Sequence, residues 1–459
     1  MTRAQRHDNS EQRRDNSGRP HAPRRRPRRA RALPRRLLAC TLCLLALASA
    51  PAPSLSDAPV STGTREGRLA VFDDVWQTVG ARYYDARLRG LDWAAERERF
   101  RPLAAGAGTT EELYTALRRM LAKLRDAHTR VYSPGERFDW DRPTFTGVGL
   151  SLREIGGQLV VARVEKRSEA EREGVRGGQV LSKVDGEPVE ALLARRAEAG
   201  VTASTGTAAR LSTIARLFDG ERDSFAALTL AGDGGRERVV RLRRTTRTLA
   251  PVLEVHRVGG AAVVRFNLFT QEIATSLVRA LRDGGRLGGA RGVVVDLREN
   301  GGGEAEAMID AASAFLPAGT PLGAFTDRAG RTVASPQTRR EMLFAADAIK
   351  TYGGPVVVLT GARTASAAEI FAAALKDAGR ARSVGERTCG CVLAIRSRHP
   401  LPDGGLLDVS EMDYRTARGL RLEGVGVAPD ETVAPTRDDL ARGRDPALAR
   451  AVGIIEAAR

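Results

Sequence analysis

From about residue 250 to residue 376 the chain alternates short apolar runs with longer helical segments. Residues 261–266 read as a strand and 271–282 as a helix; 292–297 with 304–315, and 355–360 with 367–376, repeat the pair. A strand that returns to its own sheet through a helix lies parallel to its predecessor, so this stretch implies an α/β domain around a largely parallel sheet.

The chain upstream has a different texture. Over residues 69–124 Val71, Val75 and Val79 recur every fourth position, and Leu113, Leu117, Met120 and Leu124 keep helical spacing after a helix start at Thr110-Glu111-Glu112. A Pro- and Trp-containing loop at 134–143 follows. Strand-like segments then take over at 147–152, 159–164 and 179–184, the last closed by an Asp185-Gly186 turn, with further strands at 225–230 and 239–242 and one or two helices across 188–219. At 459 residues there is room for two or three domains with proper cores.

The net charge of +17 would suggest a nucleic-acid partner if it were spread evenly. It is not: residues 1–50 hold 13 Arg against 3 acidic residues and so carry +10 of it. No basic stripe interleaved with aromatics follows, and nucleic acid is not an expected partner. The Arg-rich run at 24–36, the apolar stretch at 37–47 and Ala48-Ser49-Ala50 have the order of a secretory signal peptide, with cleavage between Ala48 and Ala52. The apolar stretch is too short to span a bilayer; an uncleaved anchoring helix is the other reading. The expectation is an exported protein of a bacterial periplasm or cell envelope. Cys40 and Cys43 leave with that leader, and Cys389 and Cys391 offer neither a disulfide framework nor a Cys/His zinc site. Neither metal nor cofactor is expected.

Two segments carry chemistry. In Val293-Val294-Val295-Asp296-Leu297-Arg298-Glu299-Asn300-Gly301-Gly302-Gly303-Glu304 a buried strand meets three glycines and then a helix, which lets backbone N–H groups converge on negative charge or, more simply, lets a tight turn adopt positive φ. No nucleotide-phosphate loop pattern fits it. In Thr360-Gly361-Ala362-Arg363-Thr364-Ala365-Ser366-Ala367-Ala368-Glu369-Ile370 a strand turns into a helix of small residues. A nucleophilic Ser366 there would gain from the helix dipole, with the Ala367 N–H aimed at an oxyanion; Ser366-x-x-Glu369 also reads as a capping box, in which the serine only caps the helix.

Four segments, in order, resemble the tail-specific (C-terminal-processing) serine peptidases: 296–303, 364–370 with Ser366 at the nucleophile position, 376–388 (Lys376-Asp377-Ala378-Gly379-Arg380 through Val384-Gly385-Glu386-Arg387-Thr388), and Leu422-Glu423-Gly424-Val425-Gly426-Val427-Ala428-Pro429-Asp430. Phe145-Thr146-Gly147-Val148-Gly149-Leu150 is similar to the carboxylate-binding loop of that family's PDZ domain, whose N–H groups capture a peptide C-terminus. The resemblance runs over residues 68–435. It implies a ClpP/crotonase-like ββα catalytic domain with an N-terminal helical domain and a PDZ domain. The boundaries become 1–50 leader, 51–66 linker, 67–135 helical domain, 140–247 PDZ-like domain and 248–459 catalytic domain.

One position departs from the family. Its usual base is a lysine, where this chain has Cys391 in Thr388-Cys389-Gly390-Cys391-Val392. A neutral thiol is a poor base toward a serine hydroxyl. The tricorn-like branch instead uses a histidine from the helical region and a glutamate from the last motif, and His128 and Glu423 match both. The imidazole would take the serine proton and the carboxylate would hold its tautomer. That branch also has a serine just before its histidine, where this chain has Ala127. His128 as a structural histidine at a helix end, and Glu423 as a surface acid, are the plainer readings. Cys391 as nucleophile is a further one, and pairing with Cys389 would require Gly390 to bend the chain.

The expected activity is cleavage of unstructured polypeptides held by their free C-termini. Ser366 is the expected nucleophile, His128 the base, Glu423 its orienter, and Ala367 and Gly302 the oxyanion donors; Gly147, Val148, Gly149 and Leu150 would bind the tail. The rivals are a catalytically inactive peptide-binding homologue that lost the family lysine, and an acyl-CoA enzyme on the same fold.

Overall fold

The computed structural model describes residues 59–458, apart from 137–143, 233, 249, 283–286, 288 and 344–347. The leader assigned to residues 1–50 and the first part of the linker lie outside the described residues. No helix among the described residues is long and apolar enough to cross a membrane.

Three helices open the fold, each started by a side chain that satisfies an otherwise orphan N–H. Thr64 accepts from Gly67 before Arg65–Arg82, Asp92 from Ala95 before Trp93–Ala105, and Thr109 from Glu112 before Thr110–Leu121. Their apolar faces meet in one cluster holding Val71, Val75, Val79, Leu113, Leu117 and Met120. That cluster also contains Leu401, Leu407 and Val409. These come from a long hairpin, Ala394–Pro400 with Leu406–Arg415, that leaves the C-terminal part of the chain to pack on the helices. The strand Arg130–Tyr132 pairs with it antiparallel. The hairpin therefore fixes where the segment just before it, residues 126–129, can lie.

The middle of the chain forms an antiparallel sheet in the order Leu150–Ile155, Gln158–Val164, Val180–Val184, Phe225–Ala231, Glu237–Arg243. Its turn at Asp185-Gly186 has φ of 53° and 83°, so both central residues are left-handed, the geometry a two-residue hairpin needs. Helices Val189–Glu198 and Gly206–Ala215 cover this sheet, and Thr144–Gly147 pairs with Thr245–Thr248 at its base.

The C-terminal sheet runs in the order Leu253–Val258, Ala261–Phe266, Gly292–Asp296, Val356–Thr360, Arg382–Gly385, Glu431–Thr432. The first pair is antiparallel and the rest are parallel. Successive residues of the central strands face opposite layers. Val293, Val295, Val356 and Val358 pack on helices Gln271–Arg282, Ala305–Ser313 and Ala367–Asp377, whereas Val294, Val357 and Leu359 pack on the last helix, Pro446–Ala457. Each fully buried side chain of this kind contributes roughly 1.5–3 kcal/mol, so a slip of one residue would exchange the two layers and is excluded.

Candidate active site

The strand Gly292–Asp296 ends in a loop held from three directions. Arg298 bridges Asp296 and Asp445, tying the loop to the start of the last helix. The fully buried Asn300 donates from Nδ2 to the Phe266 carbonyl (3.1 Å), and its own carbonyl accepts the Ala365 N–H (3.0 Å). The Asn300 Oδ1 accepts the Gly302 N–H at 2.9 Å. Gly302, at φ +104°, lies against the neighbouring turn so closely that a Cβ there would sit 2.7 Å from the Ser366 Cβ and 3.1 Å from the Ala367 nitrogen. Its lack of a side chain is what lets the two loops touch.

That neighbouring turn leads from Val356–Thr360 into Ala367–Asp377 and is fastened by Thr364, whose hydroxyl donates to the Leu297 carbonyl at 2.7 Å. Ser366 follows at φ +55°, ψ −125°. An ordinary N-cap is extended, so this is strained backbone of the kind held at functional sites. The Glu369 half of the capping pattern is present, with its carboxylate accepting the Ser366 N–H at 3.2 Å, but the serine does not have the backbone of a plain cap. Ser366 is partly exposed, and the Ala367 N–H beside it heads the helix with no intrahelical acceptor.

Behind Ser366 runs the segment that replaces the family's lysine. Its Cys391 carbonyl accepts the Ser366 N–H at 2.9 Å. Glu369, fully buried, accepts from the Thr388 hydroxyl (2.5 Å) and from the N–H groups of Gly390 and Cys391 (2.8 Å each). Burial pushes its carboxyl up to about 7 despite these donors. Cys391 is not a thiol: it is disulfide-bonded to Cys389, with Cα atoms 5.3 Å apart and Gly390 bent to φ +72° between them. The pairing that the sequence left open is thus made, and a Cys391 nucleophile has no free thiol to attack with in this state.

Glu423 lies on the other side of that segment, 1% exposed. Its Oε2 accepts the N–H groups of Val392 (2.9 Å) and Leu393 (3.3 Å), and Arg89 Nη1 stands 3.5 Å from Oε1. Burial raises its pKa first; the Ser204 hydroxyl, the Val392 N–H and Arg89 pull it down, and the nearby Asp126 pushes it up. His128 sits two residues beyond Asp126, whose Oδ1 accepts the His128 backbone N–H at 2.8 Å. The His128 side chain is partly exposed with its Nδ1 buried, and burial drives it down to about 4, with Asp126 opposing and Arg130 assisting. Its Nδ1 is buried without a hydrogen-bond partner, and so is Oε1 of Glu423.

The structure therefore brings Ser366, Ala367 and Gly302 together, with Cys391 on the adjoining segment and Glu423 against the far side of that segment. It joins His128 to the same region through Asp126, and no hydrogen bond closes from its Nδ1 to Glu423. The Gly302 N–H, expected to be an oxyanion donor, is already committed to Asn300; the Ala367 N–H is the uncommitted one. Gly147, Val148, Gly149 and Leu150 form the turn into the edge strand of the middle sheet, with Gly149 at φ +80° and its carbonyl accepting the Glu165 N–H at 2.9 Å. Four residues that sequence reasoning did not assign to the site now stand in it. Glu369 was visible only as a cap partner and Asp126 only as a neighbour of His128; Arg89 and Ser204 carried no motif.

A serine presented at a strained strand-to-helix turn, with a free helical N–H beside it and a glycine loop packed against it, is an arrangement suited to nucleophilic attack on a carbonyl. Comparison with known proteins makes it a peptidase. Residues 260–433 match the model of peptidase family S41, and residues 65–122 match the tricorn protease C1 domain. The C-terminal processing peptidase, chloroplastic, of Tetradesmus obliquus is 30% identical over 401 residues, covering 82% of this chain and 79% of its own. This chain belongs to peptidase family S41, among the C-terminal-processing serine peptidases. The photosystem II D1 C-terminal processing protease superposes with a TM-score of 0.54 at 26% identity, covering 84% of this chain and 99% of that one. Mature CPAF complexed with lactacystin shares the fold, with a TM-score of 0.63 at 13% identity over 85% of this chain and 98% of that one.

Proposed function

We propose that the protein is an exported endopeptidase that cleaves unstructured polypeptides by a Ser366–His128–Glu423 triad, after a PDZ-like domain at residues 140–247 has gripped their free C-terminus. The observation that carries the triad is the pair of orphaned atoms. Buried polar groups almost always have partners, and Nδ1 of His128 and Oε1 of Glu423 are among the buried side-chain atoms that lack a hydrogen bond. A hydrogen bond between them satisfies both, fixes the proton on Nδ1 and leaves Nε2 to work as the base.

Ser366 Oγ then attacks the peptide carbonyl carbon as Nε2 takes its proton. The oxyanion is met by the Ala367 N–H, joined by Gly302 once its N–H turns from Asn300. The C–N bond breaks as Nε2 returns the proton to the leaving amine, and water releases the acyl group by the same steps in reverse.

The tail-gripping part rests on the turn at 147–150 and the edge strand Leu150–Ile155, whose outer edge pairs with no other strand among the described residues and which lies beside the helix Gly206–Ala215. A peptide with a free apolar C-terminus should therefore be cut faster than the same peptide amidated at that end, chiefly through KM. Equal rates for the two would remove tail recognition from the reading. Export rests on the leader, and N-terminal sequencing of the purified envelope protein should begin near Ala48–Ala52. Recovery of the chain from the cytosol with residues 1–50 still attached would end that part.

A further inference from the structure

Ser204 lies in the connection between the helices Val189–Glu198 and Gly206–Ala215 of the middle domain, yet it is 7% exposed and points away from that domain. Its hydroxyl oxygen accepts the Ala127 N–H at 3.1 Å, a buried contact between residues 77 positions apart. Its neighbour Thr205 caps the next helix by accepting the Ala208 N–H and at the same time donates to the Cys389 carbonyl at 3.1 Å, next to the disulfide. Farther back, Gly200 at φ +93° packs so closely on the helix Thr110–Leu121 that a Cβ would lie 2.8 Å from the Arg119 Cα. Residues 200–205 are thus wedged between the helical domain and the catalytic segment, with Ser204 at the tip.

What surrounds that tip is the base pair of the proposed triad. Ala127 is the residue before His128. On the other side, the Ser204 hydroxyl faces the Glu423 carboxylate and favours its charged form. Position 127, where the tricorn-like pattern has a serine, holds an alanine that offers no hydroxyl. Ser204 delivers one to the backbone of that same position from another domain.

We propose that Ser204 is a positioning residue for the peptidase reaction, its hydroxyl bridging the Ala127 N–H and the Glu423 carboxylate so that His128 and Glu423 are held in register. The proposal rests on the triad reading, and it makes the seating of the middle domain a condition for an oriented base. As an acceptor from Ala127 the oxygen still has its proton to donate, so one hydroxyl can serve both partners. Glu423 also faces Arg89, Arg421, Asp126, Tyr83 and Tyr84, and His128 faces Asp126 and Arg130; none of these is altered by a change at Ser204.

The test uses the mature full-length chain and a fluorogenic peptide, with kcat and KM measured across pH for Ser204→Ala, Ser204→Thr and His128→Ala. Leaving the buried Ala127 N–H without its acceptor should lower kcat about 10- to 100-fold in Ser204→Ala, with KM little changed. Without the hydroxyl donor Glu423 ionises less readily and supports the imidazolium less, so the acid limb of kcat, set by His128, should move to lower pH. Ser204→Thr keeps a hydroxyl and should recover most of kcat and the original limb. An alanine variant with unchanged kcat, with higher kcat, or with a loss uniform across pH and not recovered by threonine would overturn the proposal while a dead His128→Ala left the triad standing. An active His128→Ala would overturn the triad itself.

Discussion

Ser366→Ala should abolish peptide cleavage and labelling by a fluorophosphonate, a loss of roughly 10⁴-fold or more in kcat, since members of such a site act as a unit. The variant removes one oxygen and little else. The strained backbone at φ +55° is imposed by the surrounding bonds, from the Ser366 N–H to the Cys391 carbonyl and Glu369, from Thr364 to Leu297, and by the contact with Gly302. Alanine keeps the Cβ that fills this space, so the thermal transition of the variant should lie within a few degrees of the wild type. Equal turnover by the two proteins would place the nucleophile elsewhere. A wild type that resists the probe yet binds C-terminal peptides would favour the inactive homologue.

Much of the fold could be read from the sequence because its parts are local. The runs 261–266 and 271–282 coincide with the strand Ala261–Phe266 and the helix Gln271–Arg282, since burial on both faces leaves an unbroken apolar run and burial on one face leaves a helical period. The Asp185-Gly186 turn announced its hairpin because few residue pairs tolerate two left-handed positions. What escaped is what depends on distant partners. The hairpin Ala394–Pro400 with Leu406–Arg415 buries Leu401, Leu407 and Val409 against helices more than 270 residues upstream, and nothing in residues 394–415 says so. The Cys389–Cys391 bond depended on whether Gly390 would take positive φ, and that is set by its packing against the backbone of 424–426. Gly302 packs against Ser366, but its N–H was assigned to the oxyanion without knowing that Asn300 would fold back to take it. Arg89 and Ser204 reach Glu423 from two other parts of the chain, where neither belongs to a pattern.

His128→Ala should be nearly inactive and Glu423→Gln badly impaired, again roughly 10⁴-fold for the base, whereas Cys391→Ala should keep much of the activity. The contrast follows from what each residue holds. Cys391 contributes a disulfide that closes a ring of only three residues, for which the chain-entropy model gives on the order of 1–2 kcal/mol. The bonds that seat the segment are backbone bonds and survive the substitution: the Cys391 carbonyl with the Ser366 N–H, the Gly390 and Cys391 N–H groups with Glu369, and the Gly390 carbonyl with the Gly424 N–H. His128 has no such substitute. Its burial pushes the imidazole down to about 4, so the neutral ring that a base requires prevails at pH 7. The pH must fall well below the ordinary imidazole value of about 6.5 before protonation removes it. The acid limb of kcat/KM should accordingly lie below 6.5, and a limb above neutrality would indicate an ammonium base instead. A thiol mechanism makes the opposite demand, because Cys391 is reactive only after its bond to Cys389 is reduced. Activity that required a reductant, survived His128→Ala and vanished in Cys391→Ala would transfer the chemistry to that sulfur. Activity indifferent to reductant and lost with His128 keeps it on the Ser366–His128–Glu423 line.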